Sequence, residues 1–278
     1  MPYSGPGSDL PDLQCLRAEL REGILTILLN RPVQGNAVNV ALSLEMQSLL
    51  ATVASDPTVR VVVLRGAGEG FCAGIDSQDF LQASKRDDPT LRAAREASNH
   101  WRVRQLRELP QPVIAMVHGF CKGGAIAILE SCDIVLVADE AQFTLTESGT
   151  DLLADAALAR AAASVMTPRA ARYHALSGQA FDGREAERNG LASRSVSPGQ
   201  LEQETNALAR ELVGKDAIAL QFTKETLQHV GSMSWDGVLS YTAAKFAELK
   251  ALQAGRPSAR AAAVEGFLAG KSKPGLGG

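Results

Sequence analysis

Two glycine-rich turns, each directly after a short apolar run, hold the residues of this sequence best suited to chemistry. The first reads Gly66-Ala67-Gly68-Glu69-Gly70-Phe71-Cys72-Ala73-Gly74-Ile75-Asp76, and the second reads His118-Gly119-Phe120-Cys121-Lys122-Gly123-Gly124-Ala125. Small residues let backbone N–H groups face a cleft with no side chain in the way. One N–H from each turn would make an oxyanion hole for a carbonyl that acquires negative charge. Ordinary tight turns account for the same spacing, so spacing alone leaves both readings open.

Other chemistries find little support. Gly66, Gly68 and Gly70 are spaced GxGxG rather than GxGxxG, and the segment runs on as Phe-Cys-Ala-Gly instead of opening a helix, which argues against a dinucleotide site. Gly266, Gly270, Lys271 and Ser272 fall one residue short of a phosphate-binding loop and follow no strand. The four cysteines (Cys15, Cys72, Cys121 and Cys132) form no CxxC pair, and three lie in apolar segments, the pattern of reduced core cysteine rather than of zinc or a disulfide. No metal site is expected.

The elements that must position the two turns can be read from periodicity. Apolar runs over residues 16–29, broken at Arg21-Glu22-Gly23, predict a β-hairpin, and the spacing of Leu42, Met46, Leu49 and Leu50 predicts a helix over 40–53. Val61-Val62-Val63-Leu64 reads as a buried parallel strand. A charged helix over 89–109, a strand over 113–117, a helix after Gly123-Gly124 and a strand over 134–137 continue the alternation. Such alternation predicts α/β layers around a mostly parallel sheet. Residues 1–12 read as a flexible leader, 13–200 as the core and 201–278 as a helical region with a fraying glycine-rich end.

At 278 residues, with 45% hydrophobic and 21% charged residues and a net charge of −3, the chain has the composition of a globular protein with no electrostatic footprint for nucleic acid or anionic membrane. It shows no apolar run of membrane-spanning length, and its first ten residues contain no Lys or Arg. A cytoplasmic location and a small-molecule partner are the expectations.

The run Leu29-Asn30-Arg31-Pro32 with Asn36-Ala37, then Phe71 to Asp76, then Pro112-Val113-Ile114-Ala115 with Gly119 and Gly123-Gly124, and finally Cys132-Asp133 and Ala138-Asp139 through Phe143, closely resembles the crotonase (enoyl-CoA hydratase/isomerase) superfamily. Glu96-Ala97-Ser98 before Trp101, Ile114 to Val117, Ala138 to Ala141 and Lys271 to Leu276 are similar to its hydroxycinnamoyl-CoA (feruloyl-CoA) hydratase-lyase branch.

The resemblance implies a ββα-spiral core, a C-terminal helical trimerisation region giving a homotrimer or dimer of trimers, and an acyl-CoA thioester as substrate, with coenzyme A part of the substrate and no separate cofactor. It places the thioester carbonyl between the N–H groups of Ile75 and Gly124. Substrate-binding positions are Ala73, Asp76, Phe80, Gly123 and Tyr241. Of the two glutamates of a typical hydratase, the first falls on Ala127 and the second on Glu147, leaving Glu147 as the sole acid/base for adding water to a 2-enoyl-CoA, with retro-aldol cleavage of an aryl-substituted product. Phe80 replaces the tyrosine that holds a substrate phenol in the hydratase-lyases, and Gln34 replaces a basic residue near the coenzyme phosphates. A rival reading follows from the dehalogenase and hydrolase branches. His100 matches a catalytic histidine, and Asp155, eight residues after Glu147, matches a nucleophilic aspartate. The remaining histidines, His118, His174 and His229, suit core or surface roles.

Overall fold

The computed structural model describes residues 2–5, 13–76, 89–145, 156–254 and 266–270. Phe80, Glu147, Asp155 and the segment 271–278 lie outside these residues. Strands β1 (Leu16–Arg21) and β2 (Ile24–Leu29) pair antiparallel through a turn at Glu22 and Gly23, whose φ values of 51° and 81° suit the twist of a two-residue hairpin. Helix α1 (Val40–Ala54) is capped by Asn39, whose side chain accepts from the Leu42 N–H, and it leads into β3 (Val61–Gly66). Helix α2 (Pro89–His100) continues through a π turn, Trp101–Gln105, in which the Leu106 N–H reaches back five residues to Trp101 O. Strand β4 (Val113–Val117), the short β5 (Phe120–Lys122), helix α3 (Ile126–Ser131), β6 (Ile134–Ala138) and β7 (Gln142–Thr144) follow. Helices α4 (Ala156–Val165), α5 (Pro168–Ser177) and α6 (Gly183–Asn189) precede β8 (Arg194–Val196) and α7 (Leu201–Val213).

The main sheet runs β1-β2-β3-β4-β6-β8, parallel from β2 onward, and β5 and β7 pair as a separate parallel ribbon. Central strands β3 and β4 are apolar on both faces and buried almost throughout, as strands covered by helices on each side must be. The α/β alternation expected from the sequence is therefore present, with a parallel-rich sheet.

Of the leader expected over residues 1–12, residues 1 and 6–12 lie outside the described residues; within residues 2–5, the Tyr3 N–H donates to Ala18 O at 2.8 Å and its hydroxyl donates to Asp56 Oδ2 at 2.9 Å. Helices run on from Leu201, but the first of them belongs to the first compact unit. Helix α7 packs on β3, β4 and β6, and the chain divides into compact units Met1–Gly214 and Lys215–Gly278. An amphipathic helix with an uncovered sheet beside it buries its apolar stripe there, which the sequence boundary did not anticipate.

In the second unit, α8 (Ala217–Val230) and α9 (Trp235–Leu252) pack on each other, with Asp216 and Ser234 accepting from first-turn N–H groups. Lys245 bridges to Glu225 at 2.8 Å over the Phe222 ring. Leu227, Trp235, Leu239 and Phe246 remain exposed. No helix among the described residues is long and apolar enough to cross a membrane.

Candidate active site

Strands β3 and β4 are parallel neighbours, so the two glycine-rich turns leave the same edge of the sheet, the edge where α/β folds gather their ligands. The Phe71 N–H donates to His118 O and Phe120 O at 3.1 and 2.9 Å, and the Lys122 N–H donates to Cys72 O at 3.0 Å. A parallel bridge between Cys72 and Cys121 completes the join.

The first turn is shaped by Asn36, which is fully buried and adopts the left-handed φ of 58° that asparagine tolerates better than most side chains. Its amide accepts from the Arg31 N–H at 2.9 Å and donates to Ala67 O and Gly70 O at 2.8 and 2.9 Å. Further along, the Val38 N–H donates to Gly74 O at 2.8 Å, and Val38 O accepts from the Asp76 N–H at 2.9 Å. That bridge occupies both neighbours of Ile75, so the Ile75 N–H points away from Val38. Gly74 has φ 100°, and a Cβ there would lie 2.9 Å from Lys122 O and 3.5 Å from the Gly124 nitrogen. The first turn thus passes directly against the second.

Gly124 is buried in the 3-10 turn Gly123–Ala125, early enough that its N–H has no acceptor within the helix. Arg102, only 2% exposed, donates from Nη1 to the Gly124 carbonyl at 2.9 Å. The two N–H groups expected to bind a carbonyl therefore belong to turns that pass close to each other, with Val38 bonded to the neighbours of Ile75 and Arg102 bonded to the Gly124 carbonyl.

The other sequence candidates are distributed as follows. Ala73 and Asp76 flank Ile75; the Ala73 N–H donates to Gly35 O at 2.8 Å, and Asp76 is ion-paired to Arg31 at 3.0 Å. Gly123 is buried beside Gly124. Ala127 is 1% exposed in α3, an apolar core position that supplies no carboxylate. His100 is exposed at the end of α2, while Ser98 and Arg102, on the opposite face, turn inward. Tyr241 lies in the second unit, edge-on to His229 with ring centroids 6.1 Å apart.

Sequence reasoning quoted Asn36 in a motif without giving it work, and it missed Arg102. An asparagine between two loops signals a left-handed clamp, whereas an arginine in a helix reading Trp-Arg-Val-Arg carries no mark of burial.

Thiol chemistry is disfavoured. Burial pushes the Cys72 thiol up to about 11, and burial raises Cys121 well above the usual range, so neither supplies a thiolate near neutral pH. Two of the histidines are also engaged. His118 Nε2 lies 2.9 Å from Gly68 O, and His174 is buried with Nδ1 3.0 Å from Gln179 O.

The enoyl-CoA hydratase/isomerase family model matches residues 19–256. The chain is 34% identical to the hydroxycinnamoyl-CoA hydratase-lyase of Pseudomonas fluorescens over 264 residues, which is 94% of this chain and 95% of that protein. It is 27% identical to the peroxisomal Delta(3,5)-Delta(2,4)-dienoyl-CoA isomerase of Arabidopsis thaliana over 83% of this chain and 86% of the relative. Among solved structures, the enoyl-CoA hydratase of Mycobacterium smegmatis superposes with a TM-score of 0.80 at 25% identity, covering 92% of this chain and 97% of the other. A crotonase fold and relatives of this kind along nearly its full length make the chain an enzyme of the enoyl-CoA hydratase/isomerase family of the crotonase superfamily.

Proposed function

We propose that the protein adds water to a 2-enoyl-CoA carrying an aryl substituent and then cleaves the adduct by retro-aldol loss of an aldehyde, leaving acetyl-CoA. The observation that carries this reading is the close approach of the turn at Gly74 and Ile75 to Gly124, where a Cβ on Gly74 would be 3.5 Å from the Gly124 nitrogen, so that the N–H groups of Ile75 and Gly124 can be offered to one thioester oxygen. The likeness to a hydroxycinnamoyl-CoA hydratase-lyase at 34% identity supports the substrate class.

In this reading the thioester oxygen accepts from the Ile75 and Gly124 N–H groups. Water adds its oxygen to the β-carbon and loses a proton to the Glu147 carboxylate. The electron pair of the double bond moves to the α-carbon and the carbonyl, and the enolate oxygen is held by the two donors. Glu147 then returns the proton to the α-carbon, so a single carboxylate completes the addition. In cleavage the β-hydroxyl yields its proton, the Cα–Cβ bond breaks to release the aldehyde, and the acetyl-CoA enolate is protonated. Ala127 supports a one-carboxylate cycle because the helix position of a second glutamate is filled by a buried methyl group. Phe80, at the position where the hydratase-lyases carry a phenol-binding tyrosine, is assigned to the acyl group.

Exposed Trp235, Leu239 and Phe246 support self-association of the C-terminal helices as a homotrimer or dimer of trimers. Sedimentation as a monomer at micromolar concentration would remove that element. The activity is tested with a panel of 2-enoyl-CoA thioesters followed by mass spectrometry. The expected result is a water adduct together with acetyl-CoA and an aryl aldehyde. Absence of any adduct across the panel overturns the reading.

A further inference from the structure

Arg102 stands where a charged side chain is costly to place. It is 2% exposed, sits in the π turn Trp101–Gln105, and has its guanidinium fixed on three sides. Nε lies 3.2 Å from both the carbonyl and the hydroxyl oxygen of Ser98, Nη2 lies 3.0 Å from Asn99 Oδ1, and Nη1 lies 2.9 Å from Gly124 O. A Cβ built on Gly124 would be 3.2 Å from the same Nη1. The planar fork is thus held rigidly against the peptide that follows one oxyanion donor. π turns recur at functional sites because the widened turn re-aims side chains that a regular helix would place elsewhere.

We propose that Arg102 is the positioning residue of the oxyanion hole, orienting the Gly124 peptide through its carbonyl and presenting positive charge to the thioester oxygen. This inference rests on the acyl-CoA reading above. Two physical effects act together. Holding the Gly124 carbonyl sets the tilt of the 3-10 turn and with it the direction of the Gly124 N–H. A buried guanidinium also favours negative charge nearby, and a low-dielectric surrounding strengthens that attraction. The arrangement is fixed before substrate arrives, so no reorganisation is needed as charge develops.

The test uses the full chain with trans-cinnamoyl-CoA and crotonyl-CoA as probes. Hydrogen bonding to the carbonyl of a conjugated thioester draws electrons toward oxygen and moves its ultraviolet band to longer wavelength, which reports polarisation without requiring turnover. Wild type is expected to shift the band of at least one probe. Arg102→Gln is expected to bind that probe with Kd within about threefold of wild type, to lose most of the band shift, and to lower kcat by about 10² with KM nearly unchanged. Arg102→Lys, which keeps a charge but not the fork, should recover part of the shift. An equal shift in wild type and Arg102→Gln overturns the inference and leaves the acyl-CoA reading standing. Binding of neither probe by wild type overturns both. If Arg102→Gln does not fold, Asn99→Ala decides: it removes one support of the guanidinium from an exposed position, and a reduced shift sustains the inference while an unchanged one overturns it.

Discussion

Cγ1 of Ile75 lies 2.9 Å from the point a methyl group on Gly124 would occupy. The side chain of one proposed donor therefore dictates that the other be glycine. Gly124→Ala should push Ile75 or the 3-10 turn aside and misalign one N–H. The expected result is a fall in kcat of about 10² to 10³, the usual effect of losing one oxyanion donor, with coenzyme A binding by calorimetry changed much less.

Under the proposed mechanism, in which Glu147 carries the proton to the α-carbon, Glu147→Gln should reduce turnover of a 2-enoyl-CoA by about 10² to 10⁴. Asp155→Ala is the companion measurement. Near-wild-type kcat in Asp155→Ala beside a crippled Glu147→Gln is the expected pair. The reverse pair would transfer the chemistry to the His100 and Asp155 pathway.

Asn36→Ala should destabilise the protein by about 3 kcal/mol in urea unfolding, because the Arg31 N–H and the carbonyls of Ala67 and Gly70 lose their buried partner. Asn36→Asp keeps the acceptor and loses the donors, so its loss should involve the two carbonyls more than the Arg31 amide. A change below about 0.5 kcal/mol in Asn36→Ala would show that the turn does not depend on its clamp.

Stability should fall in acid partly through Asp56. Burial raises its pKa, but hydrogen bonds from the Thr58 hydroxyl and N–H and from the Tyr3 hydroxyl outweigh burial and hold the carboxyl below its ordinary value. A depressed folded pKa means the contribution is present above the unfolded value of about 4 and lost as pH drops through the folded one. Asp56→Asn should therefore cost about 1 to 2 kcal/mol at pH 7 and markedly less at pH 3 in urea unfolding. An equal difference at both pH values would contradict the assignment.

Much of the architecture was legible because it is repetitive. The unbroken Val61 to Leu64 and Val113 to Val117 runs identify the central strands, and the Glu22-Gly23 pair marks the hairpin. Strands β5, β7 and β8 escaped notice because three residues carry no period to detect. Helix α7 was assigned to the appendage because amphipathicity reveals that a face is buried but not against which partner. The proposed donor pair is read from the motif residues around Ile75 and Gly124, whereas the guanidinium behind Gly124 carries no such motif. Its position follows from a π turn that leaves no trace in the order Trp101-Arg102-Val103.

Cys72 sits one residue before Ala73, its sulfur 3.1 Å from Asn36 O, sealed between the two turns and kept protonated. Alkylating reagents attack thiolates, so they reach this sulfur only when the turns separate and water enters. The thiol is thus a built-in clock for the separation of the two turns. Its labelling rate under native conditions measures how often the two turns part company.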